Sequence, residues 1–395
     1  MRVLYLTNGF PYPLTSGYLR HFFLIRELAA DHQVTLLSLT GARFRPQDAD
    51  ALRPMVERVE VFGGTRRSPI GKVARRIRAL VGRDDAPGVT AMADRAVALH
   101  AERPFDIVVH SGKSTHPVLE RLPALPVAAD LCDATSSRLA GELSYASLSR
   151  RPALWLDLRA MRRIETGIVE RAGHVLFASE RDRRLILGNA ATPASSIVPN
   201  GVDLEFWRRS APALGQDRIV FTGAMHYPPN VDAATVLIEE VLPLVRRRVP
   251  EARLDIVGRD PASSLLALAG RPGVMVTGFV PDVRPFLDAA SVFAAPLRFG
   301  AGIQNKLLEA LAMELPVVAS TLAIDGLRVG EAAPPAVVAD VPATMADRIV
   351  EALETVRADP TPNSAGRAYV ESWFRWETSG RLLDTILRSV AVTGS

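Results

Sequence analysis

The sequence predicts an α/β protein of two doubly wound, parallel-sheet, Rossmann-like domains facing one cleft. Three observations carry this. The 395 residues exceed what one ordinary core holds. A buried-strand run ending in glycine and leading into a helix occurs twice, at Val3–Gly9 and at Ile219–Gly223. After each start, apolar strand runs alternate with helical patterns, which implies parallel strands covered by helices on both faces.

In the first half, Val3–Gly9 is followed by a polar turn and a helix over His21–Ala30, then by strands at Val34–Leu39, Ile107–His110 and Val127–Asp130. In the second half the helix is Val231–Leu242, and the strands are Leu254–Gly258, Val274–Thr277, Val292–Leu297 and Val317–Ser320. Pro199, Asn200, Gly201 and the stretch 211–215 break the periodicity between the halves. The expected domains are therefore residues 1–197 and 198–371. A final helix over about 372–395 carries Trp373, Phe374 and Trp376. It either packs across the domain junction, back onto the first domain, or docks on the nearest domain.

Composition narrows the function classes. Hydrophobic and charged fractions are those of a globular protein, and no apolar run reaches the roughly 20 residues that span a bilayer. The N-terminus lacks a small-residue cleavage site and reads as a core strand rather than a leader. The single cysteine, Cys132, excludes an internal disulfide and a Cys-based zinc site, so a cytoplasmic setting is expected. A formal net charge of +4, with no aromatic-interleaved basic stripe, gives no case for nucleic acid. Residues 66–83 place Ile70, Val73, Ile77, Leu80 and Val81 on one stripe, with Lys72, Arg75, Arg76 and Arg78 around it. That pattern suits either a surface helix on its own core or peripheral contact with an anionic membrane at its inner face.

The most ligand-like segment is Ser291–Ser320: strand, glycine turn Arg298–Gly302, helix with Ile303, Leu307, Leu308 and Leu311 on one stripe, Pro316 as a stop, strand again. Glycine and helix-start amides admit a phosphate, and Glu309 stands where a carboxylate accepts from a ribose. Lysine occurs only at positions 72, 113 and 306, and Lys306 sits in this turn-helix.

Together, the paired halves, Pro199–Asp203, the stretch Phe221–Asn230, the Gly278–Val280 turn and Gly300–Glu309 resemble the GT-B glycosyltransferases, specifically family 4 and its bacterial exopolysaccharide-type branch. The resemblance is strongest over 197–324. It implies a retaining, metal-independent transfer of a hexosyl-type sugar from a nucleotide-diphosphate donor, UDP- or GDP-sugar, with no other cofactor. The acceptor would be a glycan, a lipid-linked sugar or a small molecule.

Carried over by position, Glu309 matches the second glutamate of the family's motif, which holds the ribose. Gly300, Gly302, Ile303 and Gln304 would face the diphosphate or sugar, Gly278, Phe279 and Val280 the base, and Gly223 the phosphates. Two departures stand out: Ala301 replaces the first glutamate, and Ala224, Met225 and His226 supply no permanent cation where the family has one. Lys306 is the expected substitute, with Arg298 and Arg259 as alternatives. In the first half, Gly17, Arg20 and His21 resemble the acceptor-side loop. His110 and Asp133 are candidates for chemistry, and Cys132 stands at the family's histidine position. For these residues a structural role is equally expected. Asp48 and Asp50 have an Asp-x-Asp form that reads better as a capped helix start.

Two alternatives remain open. A dinucleotide-dependent oxidoreductase should show Gly-x-Gly-x-x-Gly after its first strand, and Asn8–Gly17 lacks that spacing. A non-catalytic nucleotide-sugar- or glycan-binding homologue would explain the missing cations.

Overall fold

The computed structural model describes residues 1–14, 18–41, 44–63, 87–188, 194–210 and 216–393. The chain divides into two compact units, Met1–Gly201 with Trp376–Ser395, and Val202–Arg375. Gly17, the segment 66–83 and residues 211–215 lie outside the described residues.

The first unit is built on a seven-stranded sheet of β1 (Arg2–Thr7), β2 (Gln33–Thr40), β3 (Arg58–Gly63), β4 (Ile107–Ser111), β5 (Val127–Cys132), β6 (His174–Phe177) and β7 (Ala194–Ile197). The strand order is β3-β2-β1-β4-β5-β6-β7, and all pairs are parallel. Residues alternate between the two faces, as strand geometry requires. Leu4, Leu6, Leu37 and Val108 pack on one face with Val89, Met92 and Ala96 of the helix Pro87–Glu102. Val3, Tyr5, Leu36 and Val109 pack on the other with Leu24 and Leu28 of the helix Leu19–Ala29 and with Leu383 and Leu387 near the C-terminus.

The second unit has six strands: β8 (Arg218–Thr222), β9 (Arg253–Val257), β10 (Val274–Val276), β11 (Val292–Ala295), β12 (Val317–Ala319) and β13 (Val337–Val338). Their order is β10-β9-β8-β11-β12-β13, again parallel. Each sheet reverses its strand order once, at β1/β4 and at β8/β11. In such sheets ligands bind outside the carboxyl ends of the strands at that point.

Three elements differ from the sequence expectation. The helix expected over Val231–Leu242 is observed as Pro228–Val236, a wide π turn over Leu237–Val241, and Leu242–Arg248. Pro243 has no N–H to donate to the preceding turn, and the wider turn accommodates it. The expected terminal helix is two helices, Ser364–Trp373 and Trp376–Thr393, separated by non-helical Phe374 (φ −127°, ψ 55°). The break lets two buried aromatics serve different bodies. Phe374 contacts Tyr369 within the second unit, and Trp376 stacks on Phe23 in the first, with centroids 4.7 Å apart and planes at 8°. Finally, β3, β6, β7 and β13 were not expected from the sequence. Most are short and half-exposed sheet edges without a continuous apolar run.

Asp48 caps the 3-10 turn Pro46–Ala51, its carboxylate accepting from the Arg45 backbone N–H at 2.9 Å. Among the described residues no helix is long and apolar enough to cross a membrane.

Candidate functional site

The second unit gathers its polar groups at the carboxyl ends of β8, β9 and β11. β8 runs into Gly223 (φ +156°) and β9 into Gly258 (φ +150°). A Cβ on Gly258 would lie 1.7 Å from the Gly223 carbonyl oxygen, and one on Gly223 would lie 2.6 Å from Asn230 Nδ2 and 3.3 Å from Lys306 Nζ. The two glycines thus let the strand exits touch and let a cation approach the backbone. Backbone bonds from Gly223 N to Val257 O (3.0 Å) and from Met225 N to Arg259 O (2.8 Å) hold the exits together.

Lys306 lies in the first turn of the helix Asn305–Ala312, which follows the turn after β11. Its ammonium donates to Asn230 Oδ1 and sits 4.7 Å from the centroid of the Phe221 ring. Asn230, itself buried, donates through Nδ2 to Ala224 O at 3.1 Å. Burial lowers the Lys306 pKa to about 7, with Glu309 opposing the shift. Burial likewise raises Glu309 to about 7, opposed by Lys306. Among the described residues the Glu309 carboxylate makes no hydrogen bond or ion pair, and the Lys306 ammonium bonds to Asn230 rather than to it. The lysine and the carboxyl therefore share one short helix, each shifted by burial and partly offset by the other, with no direct hydrogen bond between them. An arriving diphosphate would draw the lysine back to its charged form.

The other expected donor residues lie on the turns that leave β9, β10 and β11. Gly302 (φ +72°) closes the turn before the helix, and Gln304 Nε2 donates to Ala301 O at 3.3 Å. Ile303 is buried, while Gly300 precedes it in the same turn. Gly278 (φ +70°) leaves β10, followed by Phe279, 67% exposed, and half-buried Val280. Thr277 ties this exit to the site by donating to Gly278 O at 2.9 Å and accepting from Gly258 N at 3.3 Å. Arg259, directly after Gly258, is half-buried, and its guanidinium makes no hydrogen bond or ion pair with a described residue. Arg298 is already paired with Asp232, Nε to Oδ2 at 2.8 Å, which weakens its case as a substitute cation.

In the first unit, the expected acceptor-side and chemical residues form a buried lattice at the carboxyl ends of β1, β4 and β5. Arg20 donates to Asp130 at 2.8 and 3.3 Å and to Asn200 Oδ1 at 2.9 Å. Burial alone would lower the Arg20 pKa, but Asp130 outweighs it and keeps the guanidinium charged. His21 bridges Tyr5 Oη and Ser111 Oγ, each at 3.1 Å, and burial lowers it to about 4.

His110 is 1% exposed, lies 3.1 Å from Thr115 Oγ1 and is lowered to about 3 by burial, with His116 adding to the shift. A base sealed in this way fastens the β4 exit and presents no face to a substrate. That is a correction to its expected place among the catalytic candidates. Asp133 accepts from Lys113 at 2.8 Å and Thr135 at 2.6 Å; burial would raise its pKa, but Lys113 outweighs this and the net shift is downward. Cys132 (φ +59°) is pushed up to about 12 by burial.

Asn230 was not singled out from the sequence. Its one signal there is its position directly after Pro228 and Pro229 at a helix start.

Residues 216–355 match the family model described as glycosyl transferases group 1. Over 217 residues the chain is 29% identical to phosphatidyl-myo-inositol mannosyltransferase of Mycobacterium tuberculosis, covering 50% of this chain and 55% of that protein. The match thus spans about half the length of its curated relatives. Among solved structures, Anabaena HepE in complex with UDP and glucose superposes with a TM-score of 0.67 at 16% identity, over 98% of this chain and 100% of that one. Sucrose-phosphate synthase from Thermosynechococcus elongatus gives 0.70 at 16% identity, over 100% of both chains. At such identities the likeness is one of fold.

Proposed function

We propose that this chain, a family 4-like GT-B protein with a glycosyl transferases group 1 domain at residues 216–355, transfers a hexosyl-type sugar from a nucleotide-diphosphate donor. The observation that carries the reading is the convergence of Gly223, Gly258, Asn230 and Lys306 at the carboxyl ends of β8 and β9, with Glu309 three residues along the helix that carries Lys306. The UDP-bound state of a structural relative supports a nucleotide-sugar donor and the mannosyltransferase resemblance a hexosyl group; a UDP- or GDP-sugar is what the family 4 resemblance implies.

In this reading the diphosphate lies over the Gly223 and Gly258 exits, with Lys306 and Arg259 facing the charge that grows on the leaving group. Stabilising such charge is the main catalytic demand of the reaction. Glu309 accepts from the ribose hydroxyls. The Gly300–Gln304 turn faces the sugar or diphosphate, and Gly278–Val280 faces the base. Retention at the anomeric carbon, and charge neutralisation by side chains rather than a resident metal, follow the family 4 resemblance. The first unit would hold the acceptor, a glycan, a lipid-linked sugar or a small molecule, with half-buried Asp133 the carboxylate put forward there for chemistry.

A thermal-shift screen of UDP, GDP, ADP and TDP sugars tests the reading. One ligand near a hundredfold excess over its dissociation constant should stabilise the protein by about 2–3 kcal/mol. Lys306→Ala and Glu309→Ala should each reduce that shift. Unchanged shifts in both variants would remove these residues from the site. Nucleotide binding without hydrolysis or transfer for any donor would favour a non-catalytic binding homologue.

A further inference from the structure

Between β5 and β6 the first unit carries a helical hairpin, Thr135–Tyr145 and Arg151–Arg171, joined face to face through Leu139, Leu154 and Leu158. The first helix leaves the carboxyl end of β5 and the second returns to the amino end of β6. The second helix has 21 residues, about 31 Å of helix. β6 has 4 residues, about 13 Å of strand. The connecting tip therefore projects past the carboxyl edge of the sheet, the edge that carries Ser111 and Asp133.

The tip exposes large apolar side chains among serines, Tyr145 at 53% and Leu148 at 78%, and Trp155, one turn into the second helix, is 47% exposed. Along the outer face of the second helix, Arg151, Trp155, Arg159, Arg162 and Arg163 are all exposed at helical spacing. The Arg159 guanidinium lies 5.0 Å from the Trp155 ring centroid. Glu142 and Glu165 of the hairpin are buried, Asp157 is half-buried, and exposed Glu170 lies at the far end from the tip. Tyrosine, leucine and tryptophan ringed by arginine combine an apolar wedge with a cationic collar. That combination suits the headgroup region of a bilayer. A second copy of the same face would set arginine against arginine, whereas an anionic surface complements it.

We propose that this hairpin docks on an anionic lipid bilayer through its tip and the outer face of its second helix, with Tyr145, Leu148 and Trp155 entering the headgroup layer and Arg159, Arg162 and Arg163 facing lipid phosphates. The inference does not depend on the nucleotide site, so the two are tested separately on the same preparation.

The full chain should sediment with vesicles of mixed phosphatidylglycerol and phosphatidylcholine, release in high salt, and stay in solution with phosphatidylcholine alone. Each cation near such a surface strengthens partition about fivefold. Arg159→Glu with Arg163→Glu should therefore weaken binding by more than about tenfold. Leu148→Asp with Trp155→Ala should also weaken it while leaving the circular-dichroism spectrum and melting temperature close to the parent's, which shows the variant is folded. Equal vesicle binding by the parent and both variants would overturn the proposal, as would equal binding to neutral and anionic vesicles. A concentration-dependent dimer by light scattering that Leu148→Asp dissolves would assign the face to a second copy instead.

Discussion

Asn230 holds Lys306 while being held itself: its Oδ1 accepts from the lysine ammonium, and its Nδ2 donates to Ala224 O at 3.1 Å. One buried amide thus connects the strand exit at Gly223 to the first turn of the helix Asn305–Ala312. A neutral partner positions the lysine without cancelling the charge that a diphosphate would need.

Asn230→Ala should therefore damage ligand binding beyond its effect on stability. Loss of a buried hydrogen-bonding side chain costs about 1–3 kcal/mol of stability. UDP affinity should drop at least about tenfold, the equivalent of one charge-assisted hydrogen bond. Calorimetric titration and thermal melts on the same variant separate the two effects. A lower melting temperature with unchanged UDP affinity would leave Asn230 as packing only.

The poised pair sets a pH dependence. Lys306, lowered to about 7, loses its proton as pH rises through that value, and Glu309, raised to about 7, loses its proton over the same range. An anionic donor favours charged lysine, and ribose hydroxyls favour ionised glutamate, so affinity for a UDP-sugar should peak near neutral pH and fall on both sides. Lys306→Met should remove the alkaline fall and Glu309→Gln the acid one. A flat profile from pH 5.5 to 8.5 would contradict both assignments.

The same shifts bear on the stability of the ligand-free protein. Glu309 has a folded pKa above its ordinary value, so its contribution falls as pH rises from the usual glutamate range toward 7. Lys306 has a folded pKa below its ordinary value, so its contribution recovers as pH rises from 7 toward the usual lysine range. Relative to Lys306→Met/Glu309→Gln, the parent should be least stable near neutrality, by denaturant titration across pH.

Gly258→Ala should be among the most damaging single-methyl changes. Its Cβ would stand 1.7 Å from the Gly223 carbonyl oxygen, on a backbone that disfavours a side chain. Separation of the two exits should cost about 1–3 kcal/mol and abolish measurable UDP binding. Gly278→Ala is the control: φ is +70°, but nothing lies within 4 Å of the new methyl. It should cost about 1 kcal/mol, with binding weakened far less.

In the first unit, Arg20→Met should destabilise by about 3–5 kcal/mol, because it strands Asp130 in a buried site. Arg20→Met with Asp130→Leu should recover part of that loss. Additive losses in the double variant would mean that the pair is not coupled.

The alternation of strand and helix was legible because buried parallel strands read as continuous apolar runs. Both starts, Val3 and Ile219, fall on strands buried from their second residue onward. The glycine turn before Lys306 was legible for the same local reason. What could not be read was pairing at a distance. Asn230 and Lys306 are far apart in sequence, and only the closeness of the Gly223 exit brings them together. His110 misled because a histidine ending a strand looks the same whether it faces solvent or is sealed under Thr115. The single terminal helix misled because Phe374 and Trp376 fit one apolar stripe while packing in different bodies.

The discontinuity of the first unit bears on how the protein is made. Residues Met1–Gly201 leave the ribosome well before Trp376, yet Leu383 and Leu387 complete the face that covers Val3, Tyr5 and Leu36. The whole of the second unit is synthesised in the interval, on the order of ten to thirty seconds at typical elongation rates. The second unit, though second in the chain, is then the first whose core can close during translation. On that order the Val3, Tyr5 and Leu36 face, covered early by Leu24 and Leu28, is completed only when Leu383 and Leu387 emerge.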